Sequence, residues 1–280
     1  MLLELAVGDA YGAGFEYVDP AIVARENTLA GYIQHPRHAI APGRYTDDTQ
    51  MSLAIAETLV SGRPWTAEVL ADAFVQAFKR DPREGYASRF YDFLTEVSDG
   101  EEFLARIHAD SDKSGAAMRA APIGVLSKVA QVLDYATVQA RVTHDTPDGI
   151  AAACAAALTA HYFIYRLGDK GGLGDFLEHH VPGRWAVPWT GKVGAQGMMS
   201  VRAAVTALTT ASSMSEMLRH CIAFTGDVDT VAAIALAAGA HSDELVQDLP
   251  EHLIHHLEAG PFGRDYIVSL DAQLMALRGP

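Results

Sequence analysis

Apolar residues along this chain recur at spacings of three and four, alanine is the commonest residue, and β-branched alternation is almost absent. That periodicity gives an α-helix a stripe to bury and gives a strand no consistent face, so it predicts an all-α fold in which strands are a minority at best. Helices are predicted over Asp47–Leu59, from a Thr66 cap to Lys79 with Trp65 as a staple before it, and over Ser88–Val97, Pro122–Gln131, Asp148–Leu167 and Met199–Thr209. Further ones are predicted over Ser213–Ala223, where Ser213 and Glu216 form a capping box, and over Asp227–Gly239, Ser242–Leu257 and Arg264–Leu277. About ten or more helices in a chain with 49% hydrophobic residues predict one compact multi-helix domain over residues 1–280. Pro182, Gly183, Pro188, Gly191, Gly194 and Gly197 break any period between Gly168 and Gly197, which reads as a long surface loop, a lid or a substrate loop.

The charge balance narrows the partners. With 21 basic and 35 acidic residues the formal net charge is −14, which repels a nucleic-acid backbone or an anionic lipid surface, so non-specific nucleic-acid binding is not expected. The longest uncharged stretch, Gly149–Tyr165, is dominated by alanine and too short for a bilayer, so it reads as a buried helix. Glu4 and Asp9 stand in the first apolar turn with no basic segment before them, so a cytoplasmic protein is expected, with a monomer favoured. Cys154 and Cys221 lie in apolar helical stretches and read as small core residues.

Five segments carry chemistry. Gly43-Arg44-Tyr45-Thr46-Asp47-Asp48-Thr49 puts two adjacent carboxylates and flanking hydroxyls at a helix start, a hard oxygen set suited to Mg²⁺, Mn²⁺ or Ca²⁺; the same residue types are favoured caps, so ligation and capping both stand. Thr225-Gly226-Asp227-Val228-Asp229-Thr230 repeats the theme before an alanine-rich helix, and four carboxylates meeting at one place would need cations, most economically two. Gly8-Asp9-Ala10-Tyr11-Gly12-Ala13-Gly14-Phe15-Glu16 reads as a glycine-rich turn ending in a carboxylate, with neither dinucleotide-fold nor phosphate-loop spacing. Ser114-Gly115-Ala116-Ala117-Met118-Arg119 offers small residues and a guanidinium suited to a phosphate or a structural carboxylate, and Thr143-His144 a ligand contact or a cap neighbour.

Taken in order, GDAYGAGFE (8–16), TDDT (46–49), SGAAMR (114–119), TH (143–144) and GDVDT (226–230) resemble the ADP-ribosylglycohydrolase family. The resemblance implies an all-α fold, two divalent cations (Mg²⁺ first, Mn²⁺ second), and hydrolysis of the bond between the anomeric carbon of ADP-ribose and a modified acceptor, protein or otherwise, with ADP-ribose as product. It places metal ligands at Thr46, Asp47, Asp48, Asp227, Asp229 and Thr230, and a catalytic, metal-associated glutamate at Glu16. Asp47 or Asp48 is a further candidate for the catalytic carboxylate. It also implies an ADP-ribose cradle of Ser114, Gly115, Met118, Arg119 and His144. The chain departs from the pattern at Thr225, Val228 and Ser114, and it begins almost at the first motif, which leaves room for a native extension before it. A catalytically weak or inactive ADP-ribose-binding relative and a metal-dependent phosphoesterase are the competing expectations.

Overall fold

The computed structural model describes residues 1–279. In chain order its α-helices are α1 (Leu2–Ala13), α2 (Pro20–Glu26), α3 (Asp47–Val60), α4 (Ala67–Arg80), α5 (Ser88–Glu96), α6 (Gly100–Arg106), α7 (Gly115–Met118), α8 (Val129–Arg141), α9 (Pro147–Ile164), α10 (Leu173–His180), α11 (Gly197–Thr210), α12 (Met214–Ala223), α13 (Val228–Gly239), α14 (Glu251–His256) and α15 (Arg264–Met275). Among the described residues extended pairing is confined to isolated bridges. None of these helices is long and apolar enough to cross a membrane.

Local chemistry sets several helix starts. The hydroxyls of Thr66, Thr146 and Ser213 accept the amide hydrogens of Val69, Gly149 and Glu216, satisfying donors that the first turn leaves open. Every residue of α13 is buried, and α9 is buried from Ala151 to Ile164. A helix that is apolar on all sides belongs at the centre of a bundle, and α1, α3, α9, α11 and α12 surround α13. The closest neighbour is α1. A Cβ at Gly8 would stand 2.7 Å from the Ala232 carbonyl oxygen, and one at Gly12 would stand 2.4 Å from the Asp229 Cα. These glycines, one turn apart on α1, let its backbone lie on α13 at the point where α13 begins.

That packing corrects the expectation of a glycine-rich turn: Gly8 and Gly12 lie inside α1, and the turn covers only the residues after Ala13. The helix expected over Pro122–Gln131 is instead a 3-10 turn, Ala121–Val125, followed by extended chain and then α8. Carbonyls that would have propagated it are taken by α9, Gly124 by the His161 ring and Val125 by the Tyr165 hydroxyl. Only Glu251–His256 of the expected Ser242–Leu257 helix forms. Upstream of Pro250, Val246 pairs through its backbone with Ser212 and Met214, and the Gln247 amide donates to the carbonyls of Gly239, Ser242 and Leu245. Ser213 caps α12, but the Glu216 carboxylate returns to Ser212, so the capping box is half made. Trp65 stacks on Tyr135 of α8 and donates its indole N–H to the Tyr135 carbonyl at 3.0 Å. The surface loop holds α10 and a short 3-10 turn, Lys170–Gly172; the irregular part is 181–196. Cys154 and Cys221 are buried free thiols.

Candidate active site

Asp9, on the α13-facing helix α1, organises the start of α3. Its carboxylate is fully buried and accepts the amide hydrogen of Thr46 at 3.0 Å, the Thr46 hydroxyl at 2.7 Å, the Thr49 amide at 2.9 Å and the Thr49 hydroxyl at 2.5 Å. Two threonines spent on Asp9 leave the side chains of Asp47 and Asp48 between them free of that role. The Thr46 oxygen donates to Asp9 and accepts the Asp48 amide at 3.4 Å, which leaves it one lone pair.

The first turns of α3 and α13 come together. Oxygens of Glu16, Asp227 and Asp229 lie within 4.8 Å of one another. Asp48 has the Thr230 hydroxyl against it, and burial, with Asp9, Asp47 and Asp227 nearby, raises its pKa well above the usual carboxylate range. Burial raises Asp47 in the same way, reinforced by Asp9, Glu16 and Asp227, and Asp229, reinforced by Glu16, Asp48 and Asp227. Asp227 is pushed up to about 6 by burial and by Glu16, against the hydroxyls of Ser114 and Thr230. Two buried oxygens, Oδ1 of Asp48 and Oδ1 of Asp229, have no hydrogen-bond partner. Orphaned carboxylate oxygens in a crowd of like charges are costly to a folded protein, and an all-oxygen donor set facing one point suits hard divalent cations. The residues fit such ions.

Glu16 differs from the aspartates. Burial works against its charge, but hydrogen bonds from His35 at 3.0 Å and Arg37 at 2.8 Å prevail and hold its pKa below the ordinary value. Next to it Tyr17 adopts a left-handed backbone, φ 54°, with its amide donating to the Gly226 carbonyl at 2.9 Å. Arg37 and Lys192 both lie over the Tyr17 ring, 5.0 and 5.1 Å from its centre. Thr225 and Gly226 are also left-handed, φ 63° and 92°, and a Cβ on Gly226 would fall 1.9 Å from the Val193 carbonyl oxygen. Three left-handed residues line the site, Thr225 and Gly226 in succession and Tyr17 bonded to Gly226, and together they hold the α13 start in a backbone shape that packing must enforce.

A strap crosses that start. Val193 donates to Thr225 and accepts from Asp227, Ala195 accepts from Ser114, and Gln196 bridges Lys113. Ser114 thereby faces Asp227. Gly115 lies beside His144, where a Cβ would come within 3.0 Å of the ring Cε1. Met118 is buried, its carbonyl 3.3 Å from the Ser52 hydroxyl. Arg119 is buried too, and its guanidinium is committed to the side chain and carbonyl of Gln139, to the Thr143 hydroxyl at 2.8 Å and to the Phe74 face at 4.2 Å. The Thr143 hydroxyl accepts from Arg119 and shares a 2.7 Å hydrogen bond with His144 Nδ1. Burial, then the charges of Arg119 and Lys113, lower His144 to about 3. Arg119 thus reaches the site only through Thr143 and His144, not as an open guanidinium. Tyr17, His35 and Arg37 lie outside the segments that motif chemistry marked; Asp9 and Thr49 lie inside them, but their pairing with each other was not expected.

An all-α bundle with carboxylates gathered at two helix starts defines the class of protein. A family model described as ADP-ribosylglycohydrolase matches residues 1–280, and the chain belongs to that family. It is 26% identical to the ADP-ribosyl-[dinitrogen reductase] glycohydrolase of Rhodospirillum rubrum, over 99% of this chain and 95% of that one. With ADP-ribosylhydrolase ARH3 of Xenopus tropicalis it shares 27% identity over 64% of this chain and 53% of the relative. A solved structure described as an ADP-ribosylglycohydrolase-related protein complex superposes with a TM-score of 0.76 at 24% identity, covering 99% of this chain and 96% of the other, a likeness of fold alone.

Proposed function

We propose that this protein is a divalent-metal-dependent hydrolase that releases ADP-ribose from a modified acceptor by cleaving the bond at the anomeric ribose carbon. The carrying observation is the meeting of Glu16, Asp227 and Asp229 within 4.8 Å, with Asp47 and Asp48 near enough for the charges of Asp227 and its neighbours to raise their pKa and with two orphaned carboxylate oxygens, in a chain of this family. Thr46, Asp47, Asp48, Asp227, Asp229 and Thr230 would hold two cations, Mg²⁺ or Mn²⁺. Bound there, such cations neutralise the cluster and supply Lewis acidity toward oxygen ligands.

The chain's own groups do the rest. Departure of an acceptor from the anomeric carbon passes through an oxocarbenium-like state, which an attacking water must meet from a fixed direction. Glu16, kept ionised by two donors, accepts a hydrogen bond from that water and takes its proton, with Asp47 or Asp48 as the competing base. His144, a neutral ring whose Nε2 edge adjoins the Ser114–Gly115 approach, would offer Nε2–H to a phosphate or ribose oxygen in the tautomer whose Nδ1 accepts from Thr143, without adding a titrating charge. Arg119 positions that ring, and Met118 closes the wall behind Ser114 and Gly115.

The test is hydrolysis of a panel of defined substrates, ADP-ribosylated on arginine, on serine and on other acceptors, in ¹⁸O-labelled water. Label on the released ribose with an intact pyrophosphate is the expected result. Label on phosphate makes the protein a phosphoesterase, and tight ADP-ribose binding without turnover makes it a binding protein.

A further inference from the structure

The two oxygens of the Glu16 carboxylate are not equivalent. Oε2 receives both His35 Nε2, at 3.0 Å, and the Arg37 guanidinium, at 2.8 Å, whereas among the described residues no protein donor reaches Oε1. His35 is held by its own chain. Its Nδ1 accepts the backbone amides of Arg37 at 3.1 Å and His38 at 3.0 Å, so the ring proton sits on Nε2 and points at Glu16. The far side of this turn is pinned by Glu84, which accepts the Ala39 amide at 2.8 Å and lies 3.2 Å from His38. The two donors differ in freedom: the His35 side chain is 1% exposed and the Arg37 side chain 52%. An exposed arginine is screened and loses rotamer entropy to hold one geometry, whereas the buried ring has one orientation available.

We propose that His35 is a positioning residue, whose imidazole locks Oε2 of Glu16 so that Oε1 stays turned to the attacking water. This rests on the reading of Glu16 as the group that accepts the proton of water. No spacing in the sequence marks the pair; the turn of residues 35–38 makes it.

Two measurements test it. Long-range ¹H–¹⁵N correlation on the metal-free protein is expected to show His35 protonated on Nε2 and bare on Nδ1, with the Nε2 signal shifting in Glu16→Gln. A proton on Nδ1, or a signal indifferent to Glu16→Gln, overturns the proposal whatever the activity. In kinetics, His35→Phe is expected to lower kcat roughly 10- to 100-fold with KM within about twofold, and His35→Gln, whose amide reaches the Nε2 position, to recover most of the loss. Wild-type turnover in His35→Phe, or no recovery in His35→Gln, overturns it. Should the phenylalanine variant fail to fold, His35→Asn, whose amide stops short of Glu16, takes its place with the same expected loss. A wild-type protein inactive on every ADP-ribosylated substrate removes the functional reading and leaves the spectrum to decide the clamp.

Discussion

Glu16 and Asp227 share one locus, yet neutralising them has different consequences because only one is braced for chemistry. Glu16→Gln keeps shape and removes the charge, so ADP-ribose binding in calorimetry is expected to persist while turnover falls roughly 100-fold or more. Asp227→Asn removes a carboxylate from the cluster itself. Binding of ADP-ribose and thermal stabilisation by Mg²⁺ are then expected to fall together with activity. At His144 the folded ring resists protonation until about pH 3, whereas the unfolded chain takes the proton at its ordinary 6.5. This site therefore costs stability as pH falls through that window, and its ring resonances are expected to stay flat from pH 8 down to about 5. Arg119→Met, which breaks the Thr143 link, is expected to raise the KM for substrate, and an unchanged KM would remove Arg119 from the site. The carboxylate positions were legible as motifs because acids beside a helix start have a short list of uses. His35 and Arg37 were not, since their partner lies across a turn whose geometry no local pattern encodes.

Among the elements, α1 and α13 decide where the acids stand. Gly12→Ala places a methyl 2.4 Å from the Asp229 Cα, backbone that cannot yield without moving α13. A loss of about 1–3 kcal/mol in denaturant unfolding is expected, with Mg²⁺ stabilisation lost as Asp229 shifts. Gly31→Ala, which meets nothing within 4 Å, is expected to stay within about 0.5 kcal/mol and controls for the substitution. The long amphipathic or apolar helices α3, α4, α9, α11 and α13 were readable from period and caps. Segments 121–128 and 242–250 were not, because their backbone groups are claimed by α9 and by the residues around α12, and long-range partners override a helical period. Gly8 and Gly12 misled for a related reason: glycine marks a turn locally and a helix crossing only in three dimensions.

For the molecule as a whole the acidic site is a stored instability. Without cations, Asp227 holds its proton up to about 6, whereas the unfolded chain has released it at the ordinary 3.8. The folded state then binds more protons than the unfolded one, so stability falls as pH rises from about 4 to 6, and cations remove that cost. The gap in Tm between Mg²⁺-loaded and chelated protein is expected to be widest near pH 8 and to close as pH drops through about 6; histidines affect both samples and cancel. An equal gap at about pH 5.5 and 8 would separate Mg²⁺ from this cluster.

The most direct measurement is release of free ADP-ribose from ADP-ribosylated protein, followed by mass spectrometry with Mg²⁺, after chelation, and after Mg²⁺ is restored. Release that stops on chelation, returns with Mg²⁺ and is absent in Asp227→Asn is the expected result. Release indifferent to chelation, or none from any acceptor in the panel, would contradict a metal-dependent ADP-ribosyl hydrolase.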